Sequence, residues 1–268
     1  MTTGEVSNED ILSEALEFLG GKPVIDDDVI SYGQLKLTLA QKQGKANTLL
    51  ADHLFSPGLF LAERIERNLL DVNGRSVIEL GAGSALPSLL MSTLPNAPSL
   101  VVITDYPDDN ILGNIKQNVA RNSHLVVDGC TVICKGYEWG TDTSELIGTL
   151  EGHTAGTKKA GFDVVILSDL LHFFSSHDVL VSSMQALLAR TTDARAYIGA
   201  GNYTHAAVCD NFLEKATKAG FILEEIVLKE EERTWLGRMS VSNLDDEALT
   251  LRKNNCRYWV ARWSTNNP

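Results

Sequence analysis

The sequence predicts an open α/β sheet of seven strands, mostly parallel, with helices on both faces and the last strand antiparallel to the others. Three observations carry this. From Ser76 onward, short β-rich apolar runs alternate with longer segments of helical spacing, the order expected of strand–helix–strand units. Several runs are apolar at every position rather than at alternate ones, which suits strands covered on both faces. No helix-length pattern stands before the final run, so that strand is expected to return antiparallel. A chain of 268 residues with 44% hydrophobic and 22% charged side chains can bury a full core without disulfide or metal support.

Taken in order, residues 1–75 read as an N-terminal extension packing on the core. Within it, residues 29–40 (alternating in LKLTLA) predict a hairpin, and residues 57–70 predict a helix. The main domain, residues 76–268, opens with the strand SVIEL (76–80), a Gly-rich turn and the helix PSLLMSTL (87–94), where Pro87 suits a first turn. LVVIT (100–104) is the second strand and ends at Asp105; residues 108–122 carry helical spacing through Ile111, Ile115 and Val119. TVICK (131–135) and DVVILS (163–168) are the third and fourth strands. A helix over 179–189, a strand over 194–199, a helix over 208–219 and alternating strands over 221–228 and 257–263 complete the pattern. Two interruptions remain. Residues 140–161, rich in Gly, Thr and charge, predict a surface insertion. Residues 230–255 mix Trp235, Arg238 and Met239 with polar groups and are expected to fold over one end of the sheet.

Lys and Arg number 23 against 35 Asp and Glu, a net charge of −12, with a pI near 4.9. Nucleic acids are bound chiefly through basic contacts to phosphate, so none is expected as a partner. The same acidity favours a basic partner, either a Lys-rich protein segment or a small amine. The first ten residues are polar and acidic, without a signal-peptide layout, and no apolar run approaches the roughly 18 residues that span a bilayer, so no membrane partner is expected. Cys130, Cys134, Cys209 and Cys256 form no CxxC pair, which predicts reduced thiols and an intracellular, cytoplasmic setting, with the nucleus as the other option. His172, His177 and His205 lack zinc spacing, so no metal site is expected, although His177 and His205 both follow strands at the ligand-bearing edge.

The most informative segment is VIELGAGSALPS, residues 77–88. A strand ends in Glu79-Leu80-Gly81-Ala82-Gly83-Ser84 and a helix begins near Leu86. Glycines there let the backbone turn sharply and approach a ligand, while helix N–H groups face it. A dinucleotide fingerprint would place a third glycine where Leu86 stands. Asp105, 24 residues after Gly81 at the end of the second strand, lies where an acid can accept bonds from both hydroxyls of a ribose. Asp108 and Asp109 are the alternative helix-capping acids. Glu79 beside the loop is unwelcome near a pyrophosphate but suits a ligand bearing a sulfonium and an ammonium, which favours S-adenosylmethionine (SAM) over NAD.

ELGAGSALPS, VVITDYPDDNILGNI, GYEWG and ILSDLLHF, in this order and spacing, resemble the seven-strand class I SAM-dependent methyltransferases with their Rossmann-like fold. More narrowly they resemble the fungal nicotinamide N-methyltransferase-like group, which includes protein N-terminal and lysine methyltransferases acting on elongation factor 1A. The resemblance runs from about Tyr32 to Trp263. It implies that Glu79, Gly81, Ala82 and Gly83 line the methionine end of SAM, and that Asp105 holds the ribose with Tyr106 nearby. Trp139 would lie against the adenine, a role its flat indole also suits physically. Ser168 and Asp169 would face the methyl group.

Two departures concern the acceptor pocket. Related lysine methyltransferases carry D-x-x-Y after the fourth strand, whereas Asp169 is followed by Leu170, Leu171 and His172. Relatives often read L-W-N-A where this chain has Leu54-Phe55-Ser56-Pro57. Methyl transfer needs a neutral nitrogen, so Asp169 is the candidate to orient an ammonium and His172 to take its proton near neutral pH. Phe55, Asn202, Tyr203 and His205 are the candidate substrate contacts. The expected activity is N-methylation of a protein lysine, a protein N-terminus or a small amine. A non-catalytic SAM-binding module and an NAD(P)-dependent oxidoreductase are the competing readings.

Overall fold

The computed structural model of the chain describes residues 29–153 and 160–264. The acidic first ten residues, and residues 154–159 of the expected insertion, lie outside them. A small hairpin, β1 (Ile30–Tyr32) and β2 (Leu35–Leu37), precedes two helices, α1 (Gly44–Thr48) and α2 (Ser56–Glu66). Then follow β3 (Ser76–Leu80), α3 (Leu86–Ser92), β4 (Leu100–Asp105), α4 (Asp109–Asn122), β5 (Thr131–Gly136), α5 (Ser144–Gly148) and β6 (Val164–Ser168). The chain continues through α6 (His177–Leu187), β7 (Arg195–Gly201), α7 (Ala206–Lys218), β8 (Phe221–Glu225), α8 (Asp246–Asn254) and β9 (Cys256–Trp263).

Seven strands form one sheet in the order β5-β4-β3-β6-β7-β9-β8. β3 to β7 are mutually parallel, and β9 lies antiparallel between β7 and β8. The antiparallel last strand is as expected, but a helix-length element, α8, does precede it. Its sequence DEALTLRKN is mostly polar and charged, with only Leu249 and its neighbours Arg252 and Lys253 buried, so its period is faint.

Alternation along each strand divides the core in two. Val77, Val101, Ile103, Val164 and Ile166 face α2, α3 and α4, while Ile78, Leu80, Val102, Val165 and Leu167 face α6 and α7. Both faces are covered, which explains the uninterrupted apolar runs of β3, β4 and β6. β5 departs from the expectation of full burial because it is the sheet's edge, and Thr131 to Lys135 are only half-buried. The run 221–228 is strand only to Glu225; Val227 beyond it is 77% exposed. The helix expected over 57–70 ends at Glu66, and Asn68 turns at φ 56°. The expected surface insertion is partly core: Leu146 of α5 and Leu150 are buried with the α6 cluster.

The hairpin docks through α4. Asn114, Asn118 and Asn122, one helical turn apart, bond the backbone of Lys36 and the backbone and hydroxyl of Thr38, as in Lys36 N–H to Asn122 Oδ1 at 2.9 Å. Residues 230–255 pack against α2, and Asn255 O accepts from Asn202 N–H just beyond β7. Leu236 N–H donates to Glu63, Arg238 and Met239 N–H donate to Glu66, and Lys253 Nζ lies 2.7 Å from Glu63 Oε1 with both side chains fully buried. The four cysteines are free thiols, and burial pushes that of Cys130 up to about 11. No helix among the described residues is long and apolar enough to cross a membrane, and none of their His, Cys, Asp and Glu groups cluster to hold a metal.

Candidate active site at the carboxyl ends of the strands

The strand order reverses at β3, whose neighbours are β4 on one side and β6 on the other. Such a switch point opens a crevice beyond the strands' carboxyl ends. A cavity of about 270 Å³ occupies it. One wall is the loop after β3. Gly81 and Gly83 sit at φ 58° and 55°, in the left-handed region that glycine tolerates. Space is also tight at 81, where a Cβ would lie 2.7 Å from Leu170 Cδ2 and 3.1 Å from Trp139 Cζ2 and would make those side chains shift. Gly81, Ala82, Gly83, Asp105, Tyr106, Trp139, Ser168, Asp169, His172 and Phe55 all line the cavity.

Asp105 ties the loop to β4. Its carboxylate accepts from Gly83 N–H at 2.8 Å and from its neighbour Tyr106 N–H at 2.7 Å. Burial outweighs those two bonds and raises its pKa to about 6, so at neutral pH it is mainly ionised with lone pairs to spare. Helix capping falls to Asp108, which accepts from Asn110 and Ile111 N–H. Trp139 meets Phe173 edge to face, with ring centroids 5.5 Å apart.

A second group of lining residues comprises Ser168, Asp169, His172 and Phe55, and it adjoins the first where Phe173 touches both Trp139 and His172. Asp169 is buried, adopts φ 64°, and accepts from Gly201 N–H at 3.1 Å and from the Tyr203 hydroxyl. Burial raises its pKa to about 6 against the pull of those bonds. His172 lies against Phe173 (centroids 4.0 Å) and 6.4 Å from Phe55. Its two ring nitrogens are buried without a hydrogen-bond partner among the described residues. Burial therefore lowers its pKa to about 4, and the expectation of a histidine titrating near neutral pH is corrected: His172 is a neutral imidazole there.

Four candidates fall elsewhere. Glu79 lies beneath the cavity, because strand alternation turns it to the Val77 face, where Oε2 accepts from Ser88 N–H of α3 at 3.2 Å. Full burial raises its pKa to about 8, so it is a neutral carboxylic acid rather than a counter-charge for a sulfonium. Asn202 is exposed, with its backbone N–H on Asn255 O. His205 caps α7, its Nδ1 accepting from Ala207 N–H. Tyr203 stands behind Asp169 rather than on the wall. His177, expected near the edge, is buried between Asn211 and Leu171 O.

The sequence reading missed the wall formed by Leu49, Leu50, Ala51, His53 and Leu54. That stretch has neither strand nor helix period, and only its place before Phe55 hints at it. Tyr137, Glu138 and Phe173 also line the cavity, and their adjacency to Trp139 and His172 was the available signal.

A glycine loop after the first core strand, an acid ending the second and a polar pocket after the fourth define the class: a Rossmann-like methyltransferase site. A chain of the complex between the Haloferax volcanii Trm112 methyltransferase activator and a methyltransferase shares the fold, with a TM-score of 0.51, 11% identity, and 83% of this chain and 96% of that chain covered. The lysine methyltransferase family model matches residues 34–218, and the chain belongs to that family. It is accordingly a SAM-dependent methyltransferase, which sets the oxidoreductase reading aside. Its relatives include fungal enzymes named protein N-terminal and lysine N-methyltransferase EFM7. That of Neurospora crassa is 28% identical over 226 residues, covering 82% of this chain and 76% of the relative. That of Gibberella zeae is 33% identical, covering 66% and 68%. That of Schizosaccharomyces pombe is 31% identical, covering 70% and 71%.

Proposed function

We propose that this chain methylates an amine nitrogen of a protein, a lysine side chain or an N-terminus, with SAM held in the cavity described. The observation that carries the reading is the meeting of two unlike groups of residues on one cavity, in a chain whose family and curated relatives act on protein amines. In the first group the Gly81–Gly83 turn leaves room for close backbone approach, and ionised Asp105 has free lone pairs for a diol. The half-buried indole of Trp139 offers a face to a purine. These residues fit SAM without Glu79 as a direct contact. SAM supplies an electrophilic methyl: the nitrogen lone pair forms the new N–C bond as the S–C bond breaks, its electron pair passing to sulfur.

The chain's own residues then position and screen. Asp169 is ionised above about pH 6 and can hold an arriving ammonium by charge and hydrogen bonding. Phe55, His172 and Phe173 wall that part of the cavity with ring surface, excluding water. Neutral His172 can exchange hydrogen bonds with the amine but does not store its proton, which leaves to solvent. We place the enzyme in the cytoplasm and its acceptor among basic protein segments, in keeping with the net charge of −12.

The test uses tritiated-methyl SAM with purified enzyme, offered a fungal protein extract and, separately, its small-amine fraction. Label in a discrete protein, mapped by mass spectrometry to a lysine or an N-terminus, is expected. Asp105→Ala should abolish the label and weaken S-adenosylhomocysteine binding by tenfold or more, about the worth of a charge-assisted hydrogen bond pair. Label confined to small amines would overturn the protein acceptor. Cofactor binding without any labelled product would favour the non-catalytic module.

A further inference from the structure

Asp169 is held more firmly than a solvent-facing acceptor ligand requires. It leaves β6 at φ 64°, a region costly for a residue with a Cβ, and its N–H donates to Gly199 O at 2.9 Å. Its carboxylate makes no ion pair among the described residues; both of its donors, Gly201 N–H and the Tyr203 hydroxyl, come from the end of β7 and the turn beyond. The Tyr203 ring lies so close over Gly201 that a Cβ there would stand 2.2 Å from Cε1, 2.3 Å from Cζ and 2.8 Å from Oη. Only glycine at 201 admits the ring in this position. One arrangement thus spans two strands: a glycine clears the space, the tyrosine fills it, and its hydroxyl fixes an acid that faces the cavity.

We propose that Tyr203 is a positioning residue for methyl transfer, its hydroxyl fixing the Asp169 carboxylate in the orientation that seats the acceptor nitrogen, with Gly201 required to admit its ring. The inference rests on Asp169 forming the acceptor part of the cavity. The other titratable groups facing this pair are Cys256 of β9, Arg252 of α8, Cys209 of α7 and the neighbouring His172. Of the bonds that oppose the burial of Asp169, the one from Tyr203 is the larger influence, so its removal raises the pH at which Asp169 ionises.

Tyr203→Phe, made in the full chain, keeps the ring and deletes the bond. S-adenosylhomocysteine affinity by calorimetry should stay unchanged, while kcat/KM for the labelled protein acceptor falls roughly tenfold, the scale of one hydrogen bond to a charged group. The acid limb of the kcat/KM profile should move to higher pH. The ¹³C carboxyl resonance of Asp169, assigned by its loss in Asp169→Asn, should titrate at higher pH as well. Gly201→Ala should reproduce these effects by displacing the ring. Should that variant fold poorly, Tyr203→Ala with Gly201→Ala, which restores the space, should fold and match Tyr203→Ala alone. An unmoved carboxyl titration and acid limb in Tyr203→Phe would overturn the proposal. Wild-type enzyme that labels no protein would instead defeat the acceptor reading, and the carboxyl titration would still decide whether Tyr203 governs Asp169.

Discussion

Glu79 shows how one residue changes role between a pattern and a fold. Its position two before Gly81 suggested a charge beside the cofactor, but period-two alternation along β3 buries it against α3. Desolvation then makes it an acid of pKa about 8, against 4.5 in the open chain, with no cation beside it. The folded protein therefore binds a proton there more tightly than the unfolded chain between those values. The stabilisation is complete below about pH 4.5 and is lost as pH rises through 8. Glu79→Gln keeps an acceptor for Ser88 N–H and cannot ionise. Urea denaturation at pH 6, 7, 8 and 9 should show wild-type stability falling from pH 6 to 8 and levelling off by 9 and the variant's slope flattened, with the variant the more stable at pH 9. Parallel slopes would mean that Glu79 carries its charge in the fold. The other site residues divide by the same logic. Gly81 and Asp105 could be placed on the cavity's lining because turn chemistry and a strand's end are local facts, whereas Asp169 was reached through the family resemblance. Tyr203's bond to Asp169 joins two strands far apart in sequence, and no spacing reports it.

At the scale of elements, strands buried on both faces were the easiest to read, since their apolar runs need no period to betray them. β5 looked the same in sequence and proved half-buried, because position in a sheet is set by pairing partners rather than by composition. α8 was hidden because its anchor is a charge. Lys253 Nζ bonds Glu63 Oε1 at 2.7 Å and Thr234 O at 2.8 Å, and a lysine in a polar run reads as a solvated face. This pair fastens residues 230–255 to α2, which itself packs against α3, β7 and α8. Removing Lys253 leaves the buried Glu63 charge, among the described residues, with only the Leu236 N–H and a longer contact to Arg67 Nη1 at 3.7 Å. Lys253→Met should thus cost about 3 kcal/mol in urea denaturation, the low end for a broken buried pair because Arg67 stays near Glu63. Adding Glu63→Gln, which still accepts from Leu236 N–H, should return more than half of that loss. Equal instability of the single and double variants would show that Glu63 is solvated once Lys253 is gone.

At the scale of the whole molecule, charge is the property that sequence states outright and geometry only distributes. The chain carries −12, and Glu138 stands exposed on the cavity wall itself. Surface pairs among the described residues, such as Lys135 with Glu145, Lys215 with Asp178, Lys218 with Glu214, Arg233 with Glu230 and Arg257 with Glu225, each use one charge of either sign and leave the acidic surplus untouched. On the proposed reading, a field of this sign would draw a cationic acceptor segment toward the enzyme before any short-range contact forms, and added salt would screen it, the Debye length being about 10 Å at 0.1 M. SAM, held on the same reading by the buried Asp105 and the glycine turn, would be far less exposed to such screening. Raising NaCl from 50 to 300 mM should therefore lower kcat/KM for a basic protein acceptor by about tenfold, mainly through KM, while S-adenosylhomocysteine affinity hardly moves. The comparison separates long-range attraction from damage to the site, since a salt-sensitive cofactor site would shift both. An acceptor whose KM ignored salt would show that recognition lies in the ring-lined pocket alone, and the negative surface would then have no part in choosing the substrate.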